Sequence, residues 1–466
     1  MPMPMPVRNS ILDLIGNTPM LRTSSFHVGP CTLLLKLESQ NPGGSIKDRI
    51  GRSMIEAAEA QGKIKPGAML VEATAGNTGL GLALVAARKG YRLTLVIPDK
   101  MSQEKLQHLR ALGASIVMTR SDVGKGHPQY YQDLAEKITR ETPGAYYINQ
   151  FNNPANPLAH QLTTGPEIWE QTEHKLDAVV CGVGSGGTMT GLSRFFSKVA
   201  PHVQMVLADP VGSVLAEYVR TKKIGTAGSW LIEGIGEDFI PAIADLSRVS
   251  ASYSISDAES LDTVRALLKQ EGVLAGSSTG TLLAAAIRFC REQQNPKTVV
   301  TFVCDTGSKY LSKVYNDFWM ADQGLGGRPT HGDLRDLISR PFREGAVIAV
   351  APDDPLTVTY ARMRLYDVSQ LAVMDGQTVA GIVDEGDLLL AVRKGGAAFD
   401  RPVREVMTAN VRTIDPRANL DQVTSILDSG LVAMVSDEHG FYGIITRIDV
   451  VNFLRKEHAR KKRERA

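Results

Sequence analysis

Lys47 lies in the segment Asn41-Pro42-Gly43-Gly44-Ser45-Ile46-Lys47-Asp48-Arg49, whose residue types suit amine chemistry. An apolar strand at 33–37 runs into the Pro/Gly turn, and apolar Ile46, Ile50, Met54 and Ile55 mark an amphipathic helix after it. Ser45 is placed to cap that helix, and Asp48, three residues on, to complete a capping box. Lys47 then falls in the first turn, where the partial positive charge of the helix end disfavours an ammonium and lowers its pKa. Such an amine is a poor salt-bridge partner and a good nucleophile toward a carbonyl. The bland alternative is a solvated surface lysine, and the nine-mer alone does not decide between them.

Other loops offer complementary groups. Thr74-Ala75-Gly76-Asn77-Thr78-Gly79 follows a strand-like segment at 69–72 and opens a helix; its hydroxyls, amide and backbone N–H groups suit a carboxylate. Gly182-Val183-Gly184-Ser185-Gly186-Gly187-Thr188 follows a strand at 178–181 and opens a helix at 189–199. Its glycines let backbone amides approach an anion, and Ser185 and Thr188 add hydroxyls, which makes a phosphate cradle. A third loop, Asp305-Thr306-Gly307-Ser308, follows a strand at 299–304. The glycine loop has a rival reading: Gly182, Gly184 and Gly187 satisfy G-x-G-x-x-G, with Asp209 ending the next strand, as in a dinucleotide site. Against it stand the mid-chain position of the loop and the fact that a dinucleotide leaves Lys47 and the Asn77 loop without a role.

These loops need a frame. Strand-like segments at 33–37, 69–72, 93–97, 115–119, 145–149, 178–181, 203–209 and 299–304 alternate with helical patterns such as 79–88, 103–112 and 261–271. The alternation predicts a doubly wound α/β body with a mostly parallel sheet and ligands at the carboxyl ends of its strands, where the three loops lie. A length of 466 residues allows about three domains, or one large α/β domain and a module. A formal charge of +2 and an ordinary apolar content argue against a nucleic-acid partner and against disorder. Cys31, Cys181, Cys290 and Cys304 lack metal-ligand spacing, so buried thiols are expected and no metal. Residues 1–6 alternate Met and Pro without the apolar core of a signal peptide, and no apolar run reaches transmembrane length. The expectation is a reduced, cytoplasmic location without a membrane partner.

One cofactor uses all the loops. Pyridoxal phosphate needs a lysine, a cradle for one phosphate and a partner for its pyridine nitrogen. Over residues 8–320 the chain resembles the fold-type II pyridoxal-phosphate enzymes of the cysteine synthase and cystathionine β-synthase group, which are tryptophan-synthase-β-like with two α/β subdomains. The resemblance rests on Ile15-Gly16-Asn17-Thr18-Pro19, the Lys47 segment, Gly76-Asn77-Thr78-Gly79, Thr163-Thr164-Gly165-Pro166-Glu167 and Gly184-Ser185-Gly186-Gly187-Thr188, in family order. It implies that Lys47 forms the internal aldimine and later shuttles the substrate α-proton. Asn77 would bond the cofactor's 3′-oxygen, Gly184, Ser185, Gly186, Gly187 and Thr188 would hold the phosphate, and Thr306 would meet the pyridine nitrogen. Thr74, Ala75, Asn77, Thr78 and Gln150 would surround the substrate carboxylate. Ala75 stands where the family usually has serine, so one hydroxyl is missing. Phe151 is similar to cysteine synthases, where cystathionine synthases often carry tyrosine.

A hydroxyl at Thr306 cannot stabilise a pyridinium as a carboxylate does. The ring is then a weaker electron sink, and loss of a β-leaving group relieves the charge. β-Elimination to an aminoacrylate followed by thiol addition is therefore expected; Thr306 can also cap the turn at Gly307. The thiol is sulfide, giving cysteine, or homocysteine, giving cystathionine. Glu233-Gly234-Ile235-Gly236-Glu237-Asp238 resembles the acidic loop of the cystathionine synthases, and Glu233 could receive the homocysteine ammonium; the alternative is a solvated acidic loop. Cys304-Asp305-Thr306-Gly307 with Lys309-Tyr310-Leu311 is similar to the synthase form of the pyridine loop. The expected reaction is L-serine plus L-homocysteine to L-cystathionine and water, a carbon–oxygen lyase step of transsulfuration and cysteine biosynthesis. Alternatives are a cysteine synthase using O-acetylserine and sulfide, a cysteine β-lyase releasing hydrogen sulfide, and an adenosyl-nucleotide sensor whose pyridoxal domain is structural.

A catalytic domain over 1–320 is expected to end in a glycine-rich linker, 321–340. Beyond it, Val350-Ala351-Pro352-Asp353-Asp354-Pro355-Leu356 and Thr413-Ile414-Asp415-Pro416-Arg417-Ala418-Asn419-Leu420 open two related stretches, offset by about 60 residues. They resemble a tandem CBS pair, the α+β Bateman module, over 341–457, with repeats at 341–400 and 403–457 and a basic tail at 458–466. The resemblance implies an adenosyl ligand such as S-adenosylmethionine, AMP or ATP. Thr446-Arg447-Ile448-Asp449 matches the ribose-binding pattern, whereas Asp384-Glu385-Gly386-Asp387 in the first repeat lacks the threonine. Thr446 and Asp449 could instead merely cap their helix. Such modules pair between chains, so a homodimer or homotetramer is expected. About ten residues precede Leu12, leaving no room for the haem-binding extension of animal members; no haem is expected.

Overall fold

The structure, a computed structural model, describes residues 7–74, 76–99, 101–326, 330–395 and 397–464, with side chains to His458. The chain divides into two units, at Met320 and Ala321. Strands of the first are β1 (Met20–Arg22), β2 (Thr32–Lys36), β3 (Met69–Ala73), β4 (Arg92–Pro98), β5 (Ser115–Thr119), β6 (Ala145–Tyr147), β7 (Ala178–Cys181), β8 (Gln204–Pro210), β9 (Val249–Ile255) and β10 (Thr298–Phe302). They form two sheets, ordered β1-β2-β10-β7-β8-β9 and β5-β4-β3-β6. All pairings are parallel except β1 with β2. The α/β class is as expected, with the parallel strands divided between two sheets. β1 and β9 were not expected: one is three residues long, and the other is the serine-rich edge Val249–Ile255.

Central strands are apolar on both faces because helices cover both sides; Val179, Val180, Val299 and Val300 have no exposure. The helix Lys47–Ala60 buries Ile50, Met54 and Ile55 in a core with Leu80, Leu82, Leu95 and Ile97. It crosses the helix Asn77–Lys89 at two glycines: a Cβ on Gly81 would lie 2.5 Å from the Lys47 carbonyl oxygen. Side chains at this crossing would push Lys47 and Asn77 apart.

A buried ion network joins three of the sequence motifs. Arg49 donates to Glu38 through Nε and Nη2 (both 2.7 Å), to Glu167 through Nη1 and Nη2 (both 2.7 Å) and to Thr163 Oγ1 (3.0 Å). Thr18 donates to Glu38 at 2.7 Å, and Lys36 Nζ donates to the Thr18 carbonyl (2.7 Å) and Glu167 (2.8 Å). Burial pushes the Glu38 carboxyl up, but the Arg49 guanidinium outweighs it and holds the group below its ordinary range. The same contest takes Glu167 down to about 2.

The second unit holds two three-stranded sheets: β11 (Ala349–Val350), β12 (Gln370–Asp375) and β13 (Thr378–Asp384), then β14 (Thr413–Ile414), β15 (Ala433–Asp437) and β16 (Gly440–Ile445). In each, the first strand runs parallel to the second and the second pairs antiparallel with the third. Ala372 and Met374 of the first repeat share a core with Met434 and Phe441 of the second. Leu334, Leu337 and Ile338 fall in the stretch read as linker, yet they are buried in the core of the second repeat, so the module's packing begins earlier than its repeats suggest. The basic stretch read as a tail continues the helix Arg447–Glu464, and Arg465 and Ala466 lie outside the described residues, as do residues 1–6. No helix among the described residues is long and apolar enough to cross a membrane.

Arg49→Met would leave Glu38 buried without its counter-charge, and should destabilise the catalytic unit by about 3–5 kcal/mol, read from its denaturant midpoint. Glu167 titrates near 2 when folded against an ordinary 4.5, so its contribution is complete above pH 4.5 and drains as pH falls toward 2. Arg49→Met should flatten that acid-side slope.

Candidate active site

The candidate site is assembled at the carboxyl ends of β2, β3, β7 and β10, each feeding one loop into it. Lys47 is the first residue of its helix, and Ile46 occupies the N-cap position. The capping box expected here does not form. The Ser45 hydroxyl accepts from Lys47 N at 3.2 Å, while the Asp48 carboxylate turns back to Gly43 N at 2.5 Å and folds the Pro/Gly turn under the helix. Burial pushes the Asp48 carboxyl up to about 7. The Lys47 ammonium is disfavoured chiefly by burial, against the pull of Cys304 and Asp305, so its pKa is lowered as the sequence suggested. No hydrogen bond or ion pair engages its amine among the described residues.

A cleft of about 380 Å³, counted out to its solvent mouth, brings Lys47 together with Gly184, Ser185, Gly186, Gly187, Thr188 and Gly234. Ile46, Cys181, Ile235, Leu282, Phe302 and Cys304 form its apolar remainder. The glycine loop ends at the N-terminus of the helix Gly187–Val199, which has no side-chain cap, and Gly186 turns with φ +92°. A Cβ on Gly184 would sit 2.6 Å from the Gly234 carbonyl oxygen. Open backbone N–H groups, two hydroxyls and a partnerless amine are the donor set for an anion tethered to a carbonyl. The residues present fit pyridoxal phosphate.

Two supports of this loop were not seen in the sequence. Asn156 donates to Ser185 Oγ at 2.9 Å, and His160 Nε2 meets Thr188 Oγ1 at 3.2 Å. His160 lies in a π-helical turn, His160–Thr164, and its other nitrogen meets Thr164 Oγ1 at 2.9 Å. Burial, with Arg49 and Lys47 as nearby cations, takes the imidazole down to about 3, so it is neutral at pH 7. Their signal was Asn152-Asn153-Pro154-Ala155-Asn156-Pro157, a turn-rich run just ahead of the recognised Thr163 motif.

The remaining predicted residues surround the cleft without lining it. Thr78 donates to Gln150 Oε1 at 2.7 Å, and buried Thr74 accepts from Gly76 N at 3.1 Å. Phe151 packs on Phe239, ring centroids 5.7 Å apart. Ala75 lies outside the described residues. Asn77 donates to Asp305 at 2.6 Å and accepts from Lys309 Nζ at 2.9 Å. Thr306 caps the turn Gly307–Lys309, its hydroxyl accepting from Ser308 N at 3.3 Å. Glu233 is not the solvated loop residue of one sequence alternative: Lys105 and Lys313 each donate to it at 2.6 Å. Burial pushes its carboxyl up, and the two ammoniums outweigh that and lower it.

In the second unit Asp449 is buried; Oδ2 accepts from Thr446 N (2.8 Å) and Thr446 Oγ1 (2.5 Å), and Oδ1 from Ser339 (2.6 Å). The first repeat has a plain capping box between Asp384 and Asp387.

Residues 11–305 match the family described as pyridoxal-phosphate dependent enzymes, and residues 334–394 and 403–456 match the CBS domain. The chain is 34% identical to the cystathionine beta-synthase of Dictyostelium discoideum over 97% of its own length and 93% of that protein. It is 43% identical to cysteine synthase A of Escherichia coli over 64% of its length and 92% of that protein. A crystal structure of a hydrogen sulfide-producing enzyme from Fusobacterium nucleatum superposes on 66% of this chain and all of that one, with a TM-score of 0.61 and 34% identity.

Gly184→Ala forces the glycine loop off the Gly234 carbonyl. It should weaken pyridoxal phosphate binding at least about tenfold, measured by titrating stripped protein with the cofactor, with little change in melting temperature.

Proposed function

The chain belongs to the pyridoxal-phosphate-dependent enzymes of the cystathionine β-synthase family, and on that premise we propose that it joins L-serine and L-homocysteine to give L-cystathionine and water. The general chemistry is β-replacement, and its overall balance is simple. The serine Cβ–O bond breaks, a Cβ–S bond forms, and the hydroxyl leaves with the thiol proton as water. When bound, the cofactor supplies an aldehyde for amines and an electron sink for the α-carbon. Lys47 would hold it, and its Nζ, whose pKa burial lowers, would take and return the substrate α-proton. Gly184, Ser185, Gly186, Gly187 and Thr188 would bind the phosphate, Asn77 the ring oxygen and Thr306 the ring nitrogen. Thr74, Ala75, Thr78 and Gln150 would orient the serine carboxylate, with Phe151 beside them. Glu233 and Gly234 would receive homocysteine, its ammonium exchanging with Lys313 on the Glu233 carboxylate.

The single observation that carries the β-replacement reading is the partnerless Lys47 amine in one cleft with an uncapped glycine loop. Serine and homocysteine are favoured because the relatives similar over nearly the whole chain, CBS repeats included, bear the name cystathionine beta-synthase. Sulfide as the thiol is the second reading, favoured by the higher identity to cysteine synthase A and by the two lysines already held on Glu233. We further propose a cytoplasmic enzyme with four free thiols, assembled as a homodimer or homotetramer through its modules, whose helices expose Leu365, Leu389, Leu390, Ile448 and Val451. A Thr446 and Asp449 cleft binding S-adenosylmethionine, AMP or ATP belongs to the same reading.

Purified enzyme should give cystathionine from serine and homocysteine with higher kcat/KM than cysteine from O-acetylserine and sulfide; the reverse order would favour the second reading. Lys47→Ala should lose the visible cofactor band and reduce turnover to background, and retained β-replacement in that variant would remove Lys47 from its role.

Calorimetry of the full-length protein with the three adenosyl compounds should show binding to one of them. Asp449→Ala should weaken it at least about tenfold, the equivalent of a lost charge-assisted hydrogen bond, and leave unstimulated turnover intact.

A further inference from the structure

Asn77 is the one predicted cofactor contact whose side chain is gripped from both ends. Its Nδ2 donates to Asp305 Oδ2 at 2.6 Å, and its Oδ1 accepts from Lys309 Nζ at 2.9 Å. An ammonium can only donate and an ionised carboxylate can only accept, so these partners fix which edge of the carboxamide is which. Both partners are themselves held. Lys309 also donates to the carbonyls of Gly43 (2.8 Å) and Gly44 (3.2 Å), in the turn leading to Lys47. Asp305 Oδ2 also accepts from Tyr310 OH at 2.6 Å, and Tyr310 accepts from Lys105 Nζ at 2.9 Å. Asp305 is fully buried, and its Oδ1 has no hydrogen-bond partner among the described residues. A buried carboxylate with one oxygen unmatched is costly unless its position is needed.

We propose that Asp305 and Lys309 are positioning residues that lock the Asn77 carboxamide as a hydrogen-bond donor, so that the site accepts the cofactor with its ring oxygen ionised. With the oxygen edge held against an ammonium, a ligand oxygen meets N–H at Asn77. A ring hydroxyl can accept that N–H too, but an oxyanion accepts it more strongly, so a fixed donor favours the ionised form. Lys47, Lys105, Cys304, Tyr310 and Tyr315 face Asp305, and Asp48, Lys105 and His108 face Lys309; neither Asp305 nor Lys309 lines the Lys47 cleft, and the side-chain bond each makes toward the cofactor site is the one to Asn77. The inference rests on the reading that Asn77 meets the cofactor's ring oxygen.

The test uses full-length protein loaded with pyridoxal phosphate. Cofactor affinity and the pH titration of the visible band are recorded for wild type, Asn77→Ala, Asp305→Ala, Asp305→Asn and Lys309→Met. Asn77→Ala should weaken cofactor binding about tenfold or more and move the titration midpoint. Asp305→Ala and Lys309→Met should reproduce that signature at least in part, and Asp305→Asn, which keeps an acceptor, should recover most of the affinity. Lys309→Met reads the same orientation from the other edge, so the outcome stays legible if Asp305→Ala does not fold. If Asn77→Ala moves both readouts while Asp305→Ala and Lys309→Met, folded and loaded, keep the wild-type midpoint and affinity, the positioning role is overturned. If Asn77→Ala itself moves neither readout, the ring-oxygen reading fails, and the inference with it.

Discussion

The guanidinium of Arg49 is the constraint on which the catalytic unit depends. It is almost completely buried, and its fork spans two carboxylates, Glu38 from the end of β2 and Glu167 from the Thr163 motif. Lysine could not replace it, because an ammonium cannot present parallel N–H pairs to two acids. Thr18 and Lys36 complete the shell. Such a network adds little net stability over a packed apolar cluster, and its worth lies in admitting one arrangement of its segments. Lys47 is two residues away on the same helical turn, so fixing Arg49 fixes where the reactive amine can be.

That arrangement explains why the lysine is available. Lys36, Lys105, Lys309 and Lys313 all approach the interior of this unit, and each is held by a carboxylate, a carbonyl or a phenol. Lys47 is brought into the same surroundings with no such partner. Burial outweighs the pull of the nearby acidic groups, and its pKa is lowered. Lys105 and Lys313 also occupy the Glu233 carboxylate. An isolated reactive group in a densely paired neighbourhood is the pattern expected of a functional site rather than of a structural ion pair.

Local sequence carried the parts of this design that are local. The glycine loop, the Asn77 loop and the Lys47 turn each follow a strand and open a helix, and periodicity with turn residues reveals that at short range. The sixty-residue repeat of the module was legible for the same reason. The supports were hidden because their partners are distant: Lys105 meets Glu233 across 128 residues and Asn77 meets Asp305 across 228. Asp48 was misassigned to a capping box because spacing fits that role equally well; only the turn geometry reveals that Gly43 N is nearer. For Glu233 the sequence left open an ammonium receptor or a solvated acidic run, since nothing near it in sequence announces two lysines. Leu334, Leu337 and Ile338 were read as linker because the glycines before them dominate the composition.

The choice of thiol turns on a charge count around Glu233. Two ammoniums, Lys105 and Lys313, meet the Glu233 carboxylate beside the cleft that Gly234 lines. Lys105 is completely buried and is stacked on the Tyr310 ring at 4.1 Å, whereas the Lys313 side chain is 22% exposed. Lys313 is therefore the more exposed of the two lysines on Glu233. On the proposed reading, an incoming amino thiol would bring an ammonium to Glu233 and a carboxylate to the displaced lysine, so both of its charges would be met. Sulfide offers neither group and would leave the triad undisturbed. The lysines that obstruct a simple ammonium pocket at Glu233 are thus compatible with a zwitterion, and they make the second substrate's carboxylate as much a part of its recognition as its amine.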